Sequence, residues 1–259
     1  MKTPIQQIWI VGQENFQASH VFNSNAFPRH VKGLVVPCME SLSIFSFSVN
    51  QVEPNLERDK GEFLKELKGN KALDGYMPDP NKPSVFMYKN TRFLVALYLV
   101  LSSMKSFLDV YAQLVSKLID PTAKIRGFNE AKVDGKSTKG GRLINWLTGS
   151  SPNTYTKSKE LASVIKDNAT SWMGEAINWR DNIGHGGEIP NLRTMMVPPQ
   201  SNPRKVEINH IILPQMPNGK DVITYCEETR KNLYKFIRET FKLLPNIESS
   251  LVDLDAINK

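Results

Sequence analysis

Cysteine is nearly missing from this chain: Cys38 and Cys226 are the only two in 259 residues, and no CxxC spacing occurs. That argues against a disulfide framework and a cysteine zinc site and favours a reducing, intracellular setting. Long apolar runs are missing too. The longest, 93–101, covers about half a membrane span and reads as a buried helix in a soluble protein. The unbroken apolar run nearest the N-terminus, 8–11, is too short for a signal-peptide core. A cytoplasmic protein without a membrane partner is therefore expected. Histidine is scarce, with four in the chain. His20 and His30 occur in loop-like sequence without cysteine or carboxylate spacing and are expected at the surface. No internal repeat is present.

What the chain does contain is an ordinary 40% hydrophobic share, enough for a soluble core, and a net charge of +7 with a pI near 9.3. The positive balance suits a polyanion such as RNA, although many soluble proteins are this basic.

The hydropathy pattern predicts a mainly α protein, a bundle of four to five helices with short peripheral strands. Residues 1–80 read as a small α+β appendage or cap. Short strands are expected at 5–11 and 34–36, a bulged strand at 42–49 and a charged helix at 57–68, with Pro4, Pro28, Pro37 and Pro54 breaking the segment into pieces. A loop at 74–80 marks a boundary, and the helical bundle occupies 81–250. Within it, three- and four-residue apolar spacing predicts a central helix from 84 to 120, ended by Pro121. The connection 121–156 is polar, with one amphipathic piece at 143–147. From Asp120 to Glu160 there are eight Lys or Arg against four acids. The densest basic portion runs from Lys136 through Lys139 to Arg142; it fits either a loop tracking a nucleic-acid backbone or a solvated mobile loop. A further helix is expected at 156–179. Six prolines exclude helix from 188–220, a proline-rich insertion with one short strand near 205–213. Asp221 looks like the N-cap of a last helix that stops at Pro245.

The most informative stretch is Arg180-Asp181-Asn182-Ile183-Gly184-His185-Gly186-Gly187, at the end of an amphipathic run. Positions five apart on a continuing helix lie roughly 140° apart around its axis. The glycines at 184, 186 and 187 let the backbone leave helical geometry within or after the motif. A permanent cation and a titratable imidazole brought to one spot suit phosphate chemistry. The bare R-x4-H pattern is weak, with about 0.5 chance matches expected in this composition once four to six intervening residues are allowed. A second match, Arg204 to His210, lies in Pro-flanked, strand-like sequence and is read as coincidence. The first is set apart by the preceding helix, the polar pair after the arginine and the glycine cluster.

On these residues the chain resembles the HEPN domains (higher eukaryotes and prokaryotes nucleotide-binding). Their signature is an arginine, a polar residue, and a histidine after four to six positions, on a helical bundle. The resemblance covers about 84–245 in layout and 180–187 in specific residues. It implies a HEPN-like bundle and metal-independent endoribonuclease activity on single-stranded or looped RNA, without a cofactor, frequently in defence or toxin systems. Arg180 and His185 would then be catalytic, His185 as general acid or base and Arg180 as the cation for phosphate and transition state. Asp181 and Asn182 would support them, Asp181 by holding the imidazole tautomer. Lys136, Lys139 and Arg142 would guide RNA. Family members commonly place two motifs across a dimer axis, so a homodimer is expected, with an antitoxin or regulatory partner as a further candidate.

Two other readings stay open. A helix-terminal Arg–Asp pair and a Gly-flanked histidine also make an ordinary capping network, and many HEPN-like domains are non-catalytic binding modules. A P-loop ending at Gly135-Lys136-Ser137 is rejected because Glu130 stands where the first glycine is required. A metal site from Asp181, His185 and Glu188 is disfavoured, since no second histidine is near.

Overall fold

The computed structural model describes residues 27–69, 86–88, 91–149, 155–185, 192, 194–196 and 211–245. It is mainly helical, with five helical segments among these residues: α1 (Lys32–Gly69), α2 (Thr91–Ile119), α3 (Gly141–Thr148), a segment formed by α4 (Ser158–Asn168) and α5 (Gly174–Gly184), and α6 (Val222–Phe241). The strands are short: β1 (Phe86–Tyr88), β2 (Ala131–Val133), β3 (Lys136–Thr138), β4 (Thr194–Met196) and β5 (Ile211–Ile212). Two compact units divide the chain. One comprises Met1–Phe47, Leu99–Asp181 and Thr229–Lys259; the other comprises Ser48–Tyr98 and Asn182–Glu228.

The strands expected at 34–36 and 42–49 are not formed; both lie in α1, and the helix expected at 57–68 is its last third. The reason is a seam of buried residues. Val31, Val35, Cys38, Leu42, Phe45, Val49, Val52, Leu56, Asp59, Phe63 and Leu67 are all buried and follow one another in steps of four and three until the last. That 3.5-residue period keeps one stripe of a long helix against its neighbours. Burying these side chains at about 1.5–3 kcal/mol each outweighs the roughly 3 kcal/mol cost of each interior proline at 37 and 54. The expected strand at 5–11 and the loop at 74–80 lie outside the described residues.

In the first unit the core is aromatic. Tyr111 stacks on Phe107 (5.2 Å) and on Phe241 (5.9 Å), meets Phe236 edge-on (5.6 Å), and Phe27 closes the group against Phe241 (6.2 Å). Two buried tyrosine hydroxyls are paired: Tyr111 with Thr240, and Tyr234 with Ser46 at 2.7 Å. Burial pushes both tyrosine pKa values up, more than their hydroxyl partners lower them. In this unit the portion of α2 from Val100 to Ser116 is buried on most sides, as expected for a central helix.

Within the expected polar connection at 121–156, the amphipathic piece expected at 143–147 is α3, and a hairpin that was not foreseen precedes it; residues 150–154 lie outside the described residues. β2 and β3 pair antiparallel, Ala131 opposite Thr138 and Val133 opposite Lys136. The two-residue turn is Asp134-Gly135 with φ of 48° and 80°, the double positive-φ geometry that such a turn favours. Gly140 at φ 74° and Gly141 then lead into α3. Arg142 N donates to Asn129 O (3.2 Å) and Asn145 Nδ2 to Lys132 O (2.9 Å), seating α3 on the hairpin.

In the second unit β1, β4 and β5 form an antiparallel sheet in that order, with Phe86 opposite Met196 and Met196 opposite Ile211. Of the strand expected near 205–213, residues 211–212 form β5, while 205–210 lie outside the described residues; β1 and β4 were not foreseen, and β1 shortens the helix expected from 84. Buried Asp59 of α1 accepts from Phe93 N (3.0 Å) and Arg92 Nη1 (3.3 Å), capping the start of α2. Asp221 caps α6 as expected, accepting from Ile223 N at 2.9 Å. By length and composition α1 and α2 could each cross a membrane, yet 44% and 50% of their apolar windows are already buried within the protein.

Candidate functional site

The site is built at the end of the α4–α5 segment. Leu161, Ile165, Ala169, Met173 and Ile177 are buried in successive steps of four. On a regular helix those steps would drift by roughly 160° in total. A π-helical turn at Ala169–Met173 takes up the excess residue, so one face stays inward. Gly174 permits it: a Cβ there would lie 2.7 Å from Ala169 O. The polar side chains of the wide turn are partnered, Trp172 Nε1 donating to Asn168 Oδ1 at 2.8 Å. α5 then carries Arg180 and Asp181 and runs to Gly184, beyond the expected end at 179.

In the first unit Arg180, Asp181 and Lys139 come together with Glu130. Arg180 Nη1 donates to Asp181 Oδ1 at 2.9 Å, while Lys139 Nζ lies 3.2 Å from Asp181 Oδ2 and 2.7 Å from Glu130 Oε2. Ser137 Oγ donates to the other Glu130 oxygen. The Arg180 side chain is 40% exposed, but its Nε is shielded from solvent and lacks a hydrogen-bond partner among the described residues. The Lys139 ammonium, with the side chain 19% exposed, serves two carboxylates rather than standing free for a phosphate backbone. Partial burial works to lower its pKa, and the bonds to Glu130 and Asp181 outweigh that and raise it. For Asp181 partial burial pulls upward, and the hydrogen bonds and charges of Arg180 and Lys139 bring the carboxyl below its usual value. Glu130 is lowered by Lys139 and Ser137.

The other basic candidates, Lys136 on β3 and Arg142 on α3, are exposed. Lys166 of α4 pairs with Asp134 at the hairpin tip, so the hairpin is tied to the α4–α5 segment at two points.

In the second unit Asn182 is exposed on the last turn of α5, and His185 is exposed in the turn directly after it. The His185 ring makes no hydrogen bond or ion pair among the described residues. No group of three or more metal-ligating side chains occurs among the described residues. His30 is exposed, its Nε2 3.1 Å from Lys117 O.

Comparison with family models, curated proteins and solved structures returns no match to this chain. The link from Lys139 to Asp181 was missed in the sequence because the partners are 42 residues apart. The hairpin that makes it left only a partial signal: Asp134-Gly135 is a favoured turn pair, but the Lys136-Ser137-Thr138 strand lacks the alternating hydrophobics that would mark a strand.

Proposed function

We propose that this protein is a metal-independent endoribonuclease of HEPN type, cleaving single-stranded or looped RNA by attack of a ribose 2′-hydroxyl on the adjacent phosphorus. One observation carries the reading. Arg180, in α5, is held through Nη1 by Asp181 and keeps an Nε–H that is shielded from solvent and has no partner among the described residues; His185 is exposed just after α5 in sequence. A buried donor on a permanent cation calls for an acceptor, and a phosphoryl oxygen is the acceptor that a forked guanidinium suits best.

In this reading the 2′-oxygen bonds to phosphorus as its proton passes to His185, and the bond to the 5′-oxygen breaks with that oxygen taking a proton. Arg180 stabilises the charge on the non-bridging oxygens. His185 supplies one proton-transfer group per chain, so a homodimer provides the second. The net positive charge favours RNA. A cytoplasmic place and a defence or toxin role with an antitoxin or regulatory partner complete the proposal.

The binding-module reading is favoured by one observation: the His185 ring has no described partner to fix its tautomer. Incubation with RNA in excess EDTA separates the two. The enzyme yields ends with 2′,3′-cyclic phosphate. Its rate falls by about 10²–10⁴ in His185→Ala and about 10²–10³ in Arg180→Ala. RNA that is bound and left intact supports the module, and cleavage undiminished in His185→Ala removes the assigned base.

A further inference from the structure

The chain Glu130–Lys139–Asp181–Arg180 alternates in sign, and its middle link, Lys139 to Asp181, crosses from the hairpin to α5. Each oxygen of Asp181 has its own cation. Arg180 takes Oδ1 and Lys139 takes Oδ2. A carboxylate turns readily about its terminal torsion, because that rotation is broad and roughly two-fold. Left to itself, Asp181 is free to turn both oxygens onto the neighbouring guanidinium and engage it as a fork. That would occupy the Nε–H, which in the present arrangement has no acceptor among the described residues. Lys139 is in turn fixed by Glu130, and Glu130 by Ser137 of the same hairpin. The hairpin is braced at its tip by Asp134 and Lys166, and behind Lys139 by glycines whose space is filled by Phe128 and Ala131.

We infer that Lys139 is a positioning residue for Arg180: the β2–β3 hairpin delivers its ammonium to one oxygen of Asp181, so that the carboxylate holds the guanidinium by Nη1 and leaves Nε to a phosphate. The inference rests on the ribonuclease reading of Arg180, and it replaces the expectation of Lys139 as a direct RNA contact. The two roles have different signatures. A lysine bound to a phosphate contributes to affinity and to its salt dependence, whereas a residue that aims Arg180 acts on the chemical step.

The test compares the wild-type chain with Lys139→Met and Lys139→Arg. Cleavage of a single-stranded RNA in EDTA is measured beside the Arg180 Nε–H signal in nitrogen-resolved NMR, assigned by its loss in Arg180→Lys. Lys139→Met is expected to lower kcat by about ten- to a hundredfold, with KM and the salt slope of RNA binding unchanged. The Arg180 signal is expected to move in this variant, and Lys139→Arg to restore both kcat and signal. Should Lys139→Met not fold, Lys139→Gln takes its place. A raised KM with a salt slope reduced by about one at constant kcat makes Lys139 an RNA contact and overturns the inference. An unchanged kcat in an active background, or an unmoved Arg180 signal, overturns it as well. A wild-type chain that leaves RNA intact defeats the ribonuclease reading instead, and the Arg180 signal then decides the positioning role alone.

Discussion

Gly140 sits at φ 74°, and a Cβ built on it would lie 2.3 Å from the buried Phe128 ring; one on Gly141 would lie 2.4 Å from Ala131 O. Neither neighbour can yield cheaply, one being a packed ring and the other backbone. Gly140→Ala therefore combines left-handed strain with overpacking and is expected to cost about 2–4 kcal/mol in urea denaturation. Gly61, inside α1 with nothing within 4 Å of an added Cβ, provides the contrast: Gly61→Ala is expected to stabilise by about 0.5–1 kcal/mol. The ion-pair chain predicts a pH response of definite sign. Asp181 and Glu130 titrate below their ordinary values in the folded chain. Each then adds stability that is fully present above the unfolded carboxylate pKa of about 4 and is lost as the pH falls through the folded value. Carboxyl NMR titration should show both groups midway below the ordinary range, and Lys139→Met should raise both.

At the scale of elements, the helix caps are the sharpest test of how the helices begin. Asp59 reaches from α1 to the first turn of α2, where it receives Phe93 N and Arg92. Asp59→Ala leaves a buried amide without its acceptor and is expected to cost about 1–3 kcal/mol by thermal or urea unfolding. Asp221→Ala, which removes an exposed local cap from α6, should cost about 0.5–2 kcal/mol. Pro54 interrupts the hydrogen-bond ladder of α1 without serving a turn, so Pro54→Ala should stabilise by up to about 3 kcal/mol. The 3.5-residue seam of α1 was legible in the sequence, since Val31, Val35, Cys38, Leu42, Phe45, Val49, Val52 and Leu56 already hold the spacing. It was obscured by Pro37, Pro54 and the serines around Phe45, whose local preferences point away from helix. Here tertiary burial overrides propensity.

At the scale of the whole chain, both thiols are inside. Burial pushes Cys38 well up and, with nearby acidic charge, Cys226 up to about 12. Neither should react with a thiol reagent in the native protein at mildly alkaline pH, and both should react in denaturant. If RNA is the ligand as proposed, its binding should weaken steeply as salt is raised, read as a linear fall of log affinity against log salt. Light scattering should return twice the 29.3 kDa chain mass if two copies share the proposed site.

The sequence alone determined the mainly helical class, most of the helix expected at 84–120 and found at 91–119, and the helix capped by Asp221 and found at 222–241. These follow from local apolar periods and caps, which need only a few neighbouring residues to be read. Only the tertiary structure decided that 32–69 is one helix, that a π turn keeps the α4–α5 face inward, and that Lys139 belongs to Asp181. Each of those depends on what lies against the residue in space: a shared core that outweighs two prolines, a buried face that must not drift, and a carboxylate brought near by a hairpin. Local spacing shows the α1 seam but not the partners that bury it, because that energy comes from residues far away along the chain.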